Sequence, residues 1–311
     1  MKFGIRPLVL LLAFALSLFE ANSATIKLQP VADTTLSEYA MNNNLGGTHF
    51  FIAGTTGGIA GGTRNRALIR FDLSSIPANS KIKSVSLQLE VARAPANAAV
   101  SSFALHRFLR SWGEGDKNST DDSASPGLGY AATINEATWL SPFALTTNSW
   151  SSPGAADDFS ALVSARTDVY VVGDFPIFNS TAQMIADAQT WLADPAANFG
   201  WMLKTGTEET FSTARGFGSR EFAGIDTNSP PFVSIEFIPP PVISEPQIQD
   251  SQFRFSFLAE AEQDYVVEWR SAFSSTNSWQ TLTNVSSPIS TNLSISDPLL
   301  GNAKFYRVVV P

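Results

Sequence analysis

The sequence predicts an all-β protein, on three observations. Short runs that alternate apolar and polar residues recur along most of the chain, and such alternation marks strands with one buried face. Clusters of Gly, Pro, Asn and Ser separate these runs, the spacing expected of a sandwich or barrel. A four-proline stretch, FIPPPVISEP at 237–246, divides a larger β unit from a smaller one, because proline cannot donate to a sheet ladder and favours an extended, stiff chain.

The first 24 residues stand apart from the fold. Lys2 and Arg6 precede the apolar run LVLLLAFALSLF, which ends near the small residues ANSA, the arrangement of a secretory signal peptide. Cleavage is expected after Ala24. At about a dozen residues the run is too short to span a ~30 Å hydrocarbon core, so the expected mature protein is secreted, with no membrane association after cleavage.

From residue 25 to 238 the clearest strands are IRFDL, SVSLQLEVA, FALHRFL, DVYVVGDF, GWMLKT and FVSIEF. One segment departs from the period of two. Thr181 to Ala193 places Met184, Ile185, Ala188, Trp191 and Leu192 at helical spacing and stops at Asp194-Pro195, so a short helix is expected there. Residues 239–246 read as a linker. Residues 247–311 carry FRFSFLA, YVVEWR, SWQTL, NLSIS and KFYRVVV, a second β-sandwich of fibronectin-like size with Tyr265, Trp269, Trp279, Phe305 and Tyr306 as its expected core. No repeat of fixed period appears, which argues against a solenoid or propeller.

Composition narrows the function classes. The chain has no cysteine, which removes disulfides, a cysteine nucleophile and Cys-based metal sites. Hydrophobic residues make up 44%, with 23 Phe, enough for burial to hold two cores. The formal charge of −8 becomes −9 once Lys2, Arg6 and Glu20 leave with the leader. Such a surface repels nucleic acid and anionic lipid at long range.

Within this acidic chain, RNRALIRFDLSSIP at 64–77 concentrates three arginines on one strand. A period of two puts Ala67, Ile69, Phe71 and Leu73 on a core face and Arg64, Arg66, Leu68, Arg70 and Asp72 on the other. Guanidinium forks suit carboxylates, sulfates and sugar hydroxyls, and they stack on flat partners. The row therefore reads either as an outward binding surface or as a cover in which each arginine pairs with a neighbouring Asp or Glu. Trp112, in SWGEG, offers an indole on which a pyranose face can pack, or else anchors a turn. Trp139, Trp150, Trp191 and Trp201 read as core or loop anchors. Arg220 is expected to pair within Ser219-Arg220-Glu221 and to face the arginine row.

The loop DKNSTDD supplies Asp116, Asn118, Asp121 and Asp122, hard oxygen donors whose type suits Ca²⁺, without the glycine and terminal glutamate of an EF-hand. A solvated acidic loop is the alternative, and Asp33 is a further oxygen ligand to consider. Catalysis has no local signature. No G-x-S-x-G elbow is present, and no pattern marks the carboxylate pair that glycoside hydrolysis needs. A lyase combining Arg64 or Arg66 with His49 or Tyr130 is the remaining enzymatic reading.

RALIRFDLSSIPANSKIKSVSLQLEV resembles the core of the DNRLRE domains, which are similar to carbohydrate-binding module family 96. The resemblance continues through VADTTLSE, SWGEG, EATWL, Pro153 to Phe159, TWLADPAANFGWMLK and GSREF, in order across residues 25–238. It implies a jelly-roll-like sandwich, an extracellular location and non-catalytic binding of polysaccharide, acidic in the characterised cases. The glycine-rich GGIAGG and the long polar loop after Gly115 depart from the pattern, so ligand preference does not carry over. The expectation is a secreted, monomeric, non-catalytic polysaccharide-binding protein that uses Arg64, Arg66, Arg70, Trp112 and Arg220, with a structural or adhesive module as the competing class.

Overall fold

The computed structural model describes residues 23–96, 98–121, 127–224, 230–272, 278–299 and 304–311. The expected signal peptide lies outside them up to Asn22, as does Asp122 of the acidic loop. No helix among the described residues is long and apolar enough to cross a membrane. The chain divides into two compact units, 23–240 and 241–309.

The larger unit contains β1 (Ala24–Leu28), β2 (Pro30–Ser37), β3 (Asn43–Asn44), β4 (Phe50–Thr55), β5 (Arg64–Phe71), β6 (Lys81–Gln88), β7 (Val91–Arg93), β8 (Ser101–Phe108), β9 (Tyr130–Ala131), β10 (Phe159–Val169), β11 (Ile177–Phe178), helix α1 (Ala182–Ala193), β12 (Trp201–Thr205), β13 (Arg215–Gly218) and β14 (Phe232–Ile238). The small sheet runs β1-β14-β6-β11, and the large one β10-β8-β12-β5-β4-β13-β7 with β2 also paired to β5. Strand β14 shows why the two sheets pack. Its buried positions alternate strictly, so Val233, Ile235 and Phe237 enter the same apolar core as Ile69, Phe71, Leu105 and Trp201 of the large sheet. The unit is an all-β sandwich.

Helix α1 forms where the spacing predicts it. The Thr181 side chain caps it by accepting the Met184 N–H at 3.0 Å, which satisfies one of the orphan donors of the first turn. Met184, Ala188 and Trp191 are buried in the sandwich core. Buried Asp187 accepts hydrogen bonds from Trp201 Nε1 at 2.9 Å and Ser164 Oγ at 2.5 Å.

Strand β5 is covered on both sides. Ala67, Ile69 and Phe71 enter the sandwich core, whereas Leu68 joins a second cluster with Met202, Phe108, Trp112, Trp139 and Trp150. The three tryptophans belong to the segment between β8 and β10, which lies across the outer face of the large sheet.

The smaller unit holds β15 (Ser244–Gln249), β16 (Gln252–Ala259), β17 (Gln263–Arg270), β18 (Gln280–Ser287), β19 (Thr291–Pro298) and β20 (Phe305–Val309). They form two three-stranded sheets, β15-β16-β19 and β18-β17-β20. Strand β15 starts inside the stretch read as linker, and its ladder with β16 shifts register between Ser244 and Gln247, where Pro246 has no N–H to donate. Of the aromatics expected in this core, Tyr265 is buried with Phe255 and Phe257. Trp279 and Phe305 are not core residues. The guanidiniums of Arg270 and Arg307 lie 4.4 and 4.3 Å from the Trp279 ring centroid, and Phe305 is exposed.

Candidate functional site

The arginine row faces away from the sandwich core, as its spacing requires, but it does not form an open surface. Arg66 is 4% exposed. Its Nε and Nη2 donate to the two carboxylate oxygens of Glu208 at 2.7 and 2.8 Å, and Nη1 donates to Gly154 O at 2.6 Å. Gly154 can present that carbonyl because it adopts a φ of 72° with Trp139 directly over it, where a Cβ would lie 2.5 Å from the ring. Arg64 makes the same two-pronged contact with Glu38, at 2.9 and 2.6 Å. The Arg70 guanidinium lies 5.6 Å from the Trp112 ring centroid. Trp112 itself is 3% exposed and donates from Nε1 to Phe199 O at 2.9 Å. It anchors the covering segment and offers no face to a sugar. The expectation of an outward row with an indole platform is therefore corrected: the tryptophans of residues 109–158 cover the strand.

Arg220 pairs with Glu221 at 3.0 Å, as expected, and is also bound to Glu114 through two hydrogen bonds of 2.8 and 2.9 Å. Around it converges a set of acids of which the sequence singled out only Asp33 as an oxygen ligand. Asp33, Glu114 and Glu221 bring one carboxylate oxygen each within 4.8 Å of one another. Asp33 Oδ2 accepts the Arg220 N–H at 3.0 Å, Glu114 Oε1 accepts the Asp33 N–H at 2.8 Å, and the other oxygen of Glu221, Oε2, is buried without a partner among the described residues. Burial, reinforced by the charge of Glu221, pushes the Asp33 carboxyl well above its ordinary range. Burial also raises Glu114, against the opposing pull of Arg220. These three side chains are the oxygen donors that could hold a hard divalent cation, and Arg220 already supplies one positive charge to them.

Of the residues chosen for Ca²⁺, Asp116 and Asn118 are engaged locally, and Asp122 lies outside the described residues. Asp116 pairs with Lys117, which also reaches Glu136 at 2.9 Å, and Asn118 Oδ1 accepts the Thr120 N–H at 2.9 Å. Asp121 is exposed.

Beyond the covered half, the outer face of the large sheet opens into a groove of about 620 Å³. Its floor follows from the pairing register. Gly216 of β13 sits between Ile52 of β4 and Arg93 of β7, so the middle residue of a three-strand row has no side chain. A Cβ at Gly216 would lie 3.1 Å from Arg93 Cβ and 3.2 Å from the Phe50 ring. The Arg93 guanidinium rests 4.0 Å above the Phe50 ring and donates to Thr120 O at 3.4 Å, and neither contact neutralises its charge. Tyr39, 61% exposed, also lines the groove, with Asn65 and Thr63.

No protein-family model matches the chain, and no curated protein matches it.

Sequence reasoning missed Tyr39, Phe50, Ile52 and Arg93 because they come from three separate segments. The available signal was RGFG at 215–218, where glycines alternate with large residues on a strand. Such spacing marks a face that something else approaches closely.

Proposed function

We propose that the protein is an exported, non-catalytic polysaccharide-binding protein whose binding site is the groove over Gly216, Ile52 and Arg93. The observation that carries this reading is the groove's lining: an exposed tyrosine, hydroxyl and amide groups, and a guanidinium without a carboxylate partner among the described residues. Aromatic faces pack on the C–H faces of sugar rings, short polar side chains match hydroxyls, and a planar guanidinium matches a uronate carboxylate or a sulfate. These groups suffice to recognise a ligand. The acidic net charge of the chain confines attraction for a polyanion to the groove, since the Debye length is about 8 Å at physiological salt. The smaller unit reads as a spacer.

A structural or adhesive module without glycan binding is the second reading. The carboxylate pairing of Arg64, Arg66 and Arg220 favours it.

Affinity electrophoresis against alginate, polygalacturonate, heparin and a neutral β-glucan, with and without CaCl₂, separates the two. The groove reading expects retardation that Tyr39→Ala weakens for every bound polysaccharide. Arg93→Ala should weaken it for acidic ones alone. Retardation by none of them would leave the structural reading.

A further inference from the structure

The connection between β4 and β5 runs TGGIAGGT over residues 56–63, and its ends are pinned. Thr56 N–H donates to Thr63 O at 2.9 Å, Thr63 N–H donates to Thr56 Oγ1 at 2.8 Å, and the two hydroxyls lie 3.2 Å apart. Between the pins, four of six residues are glycine, with Gly61 and Gly62 at φ of 84° and 60°. Glycine crosses between such backbone states with no Cβ penalty. At the crest of the single 3₁₀ turn stands Ile59, its side chain fully exposed. Ile59, Ala60 and Gly61 all line the groove.

The sequence at this point provides no local use for the isoleucine. A turn of this kind is satisfied by glycine and polar residues, and a fully hydrated branched aliphatic side chain gains nothing from its position. Burial against an apolar surface brought into the groove would supply the gain. A sugar chain resting on the floor of Phe50, Ile52 and Gly216 would present such a surface, since the upper C–H face of its ring would otherwise remain in water.

We infer that residues 57–62 form a hinged jaw that closes on a polysaccharide bound in the groove, with Ile59 covering the apolar face of one sugar ring. The inference rests on the groove reading above. Thr56 and Thr63 hold the hinge ends fixed, and the Gly62 N–H to Gly57 O bond of 3.1 Å ties the six residues together, so closure moves them as one unit and leaves the β4–β5 ladder intact. Closure also excludes water from the Arg93 guanidinium, which strengthens its contact with a ring carboxylate.

The absence of cysteine allows a clean test. A single Ala60→Cys substitution, labelled with a polarity-sensitive fluorophore, reports on the crest of the loop while Ile59 stays in place. Alginate and polygalacturonate oligosaccharides are titrated into the labelled full chain, and Ile59→Ser is assayed beside it by affinity electrophoresis. The expected result is a blue shift that saturates with the binding isotherm, together with a five- to tenfold loss of affinity in Ile59→Ser. Binding at the parent affinity with unchanged emission, or Ile59→Ser within twofold of the parent, overturns the jaw and leaves the groove reading standing. Retention insensitive to both Tyr39→Ala and Arg93→Ala, or no retention at all, overturns the groove reading and the jaw with it.

Discussion

Arg66 and Glu208 meet through two hydrogen bonds of 2.7 and 2.8 Å across 142 residues of sequence. The pair lies beneath Trp139, whose ring centroid is 5.4 Å from the guanidinium, and Lys204 adds a second cation to Glu208 at 3.1 Å. What looks in the sequence like a binding strand is tied internally, to the β12–β13 connection through Glu208 and to the covering segment through Gly154.

Removing one partner of this tie should be costly. Lys204 stays on Glu208 at 3.1 Å, so Arg66→Ala should cost less than the roughly 3–5 kcal/mol of a fully uncompensated buried charge and still lower the melting temperature clearly. Arg64→Ala, whose pair with Glu38 is more than a third exposed on the arginine side, should cost under about 1 kcal/mol. Thermal denaturation of the two variants checks the contrast. Equal, small losses would mean that the covering segment does not depend on Arg66.

The acids around Arg220 predict a pH dependence of defined sign. The folded-state pKa of Asp33 is raised, chiefly by burial and then by Glu221. Its contribution to stability is therefore fully present below the unfolded value and is lost as pH rises through the folded one. Asp33→Asn keeps an oxygen to accept the Arg220 N–H and removes the charge. In EDTA its melting temperature should exceed the parent's at pH 7.5, with the gap closing toward pH 4. A variant less stable than the parent at pH 7.5 would contradict this.

Filling the groove should abolish binding without unfolding the protein. Gly216→Leu brings a side chain against Arg93 and the Phe50 ring, which must shift by a few tenths of an ångström to admit its Cβ, and a strand tolerates leucine conformationally better than glycine. The expected outcome is loss of polysaccharide retardation with a near-parent circular dichroism spectrum. Undiminished retardation would move the site off this face.

The smaller unit carries its own titration signature. Tyr306 donates to Asp297 Oδ2 at 2.7 Å, and burial followed by this bond raises its pKa. Burial likewise raises Tyr265. Both groups hold their protons more tightly folded than unfolded, so their contribution to stability is intact below about pH 10 and is lost as pH rises further. Absorbance at 295 nm should show two of the five tyrosines ionising only above the ordinary range. A single transition of all five near pH 10 would refute it.

Much of the architecture was legible because it rests on local periodicity. The alternation in FVSIEF placed Val233, Ile235 and Phe237 in the core, and the helical spacing of Met184, Ala188 and Trp191 located α1. Trp269 and Trp279 were harder to place. The alternation of YVVEWR could be read, but the contact of Trp279 with both Arg270 and Arg307 depends on β20 returning beside β17. The carboxylates of Asp33, Glu114 and Glu221 come from positions far apart in the chain, and no spacing rule joins them.

By itself the sequence determined that the protein is all-β, that it divides near the prolines at 239–241, and which residues of β5 point toward the sandwich core. A period of two imposes that last choice on any strand. Only the tertiary structure decided what covers the opposite face. The contacts over Arg66 come from Gly154 and Glu208, 88 and 142 residues away, and the row Ile52, Gly216 and Arg93 is assembled from three strands by register. Local pattern assigns a side chain to a face of its sheet. Whether that face meets solvent, a tryptophan or a groove depends on long-range packing, which no local pattern contains.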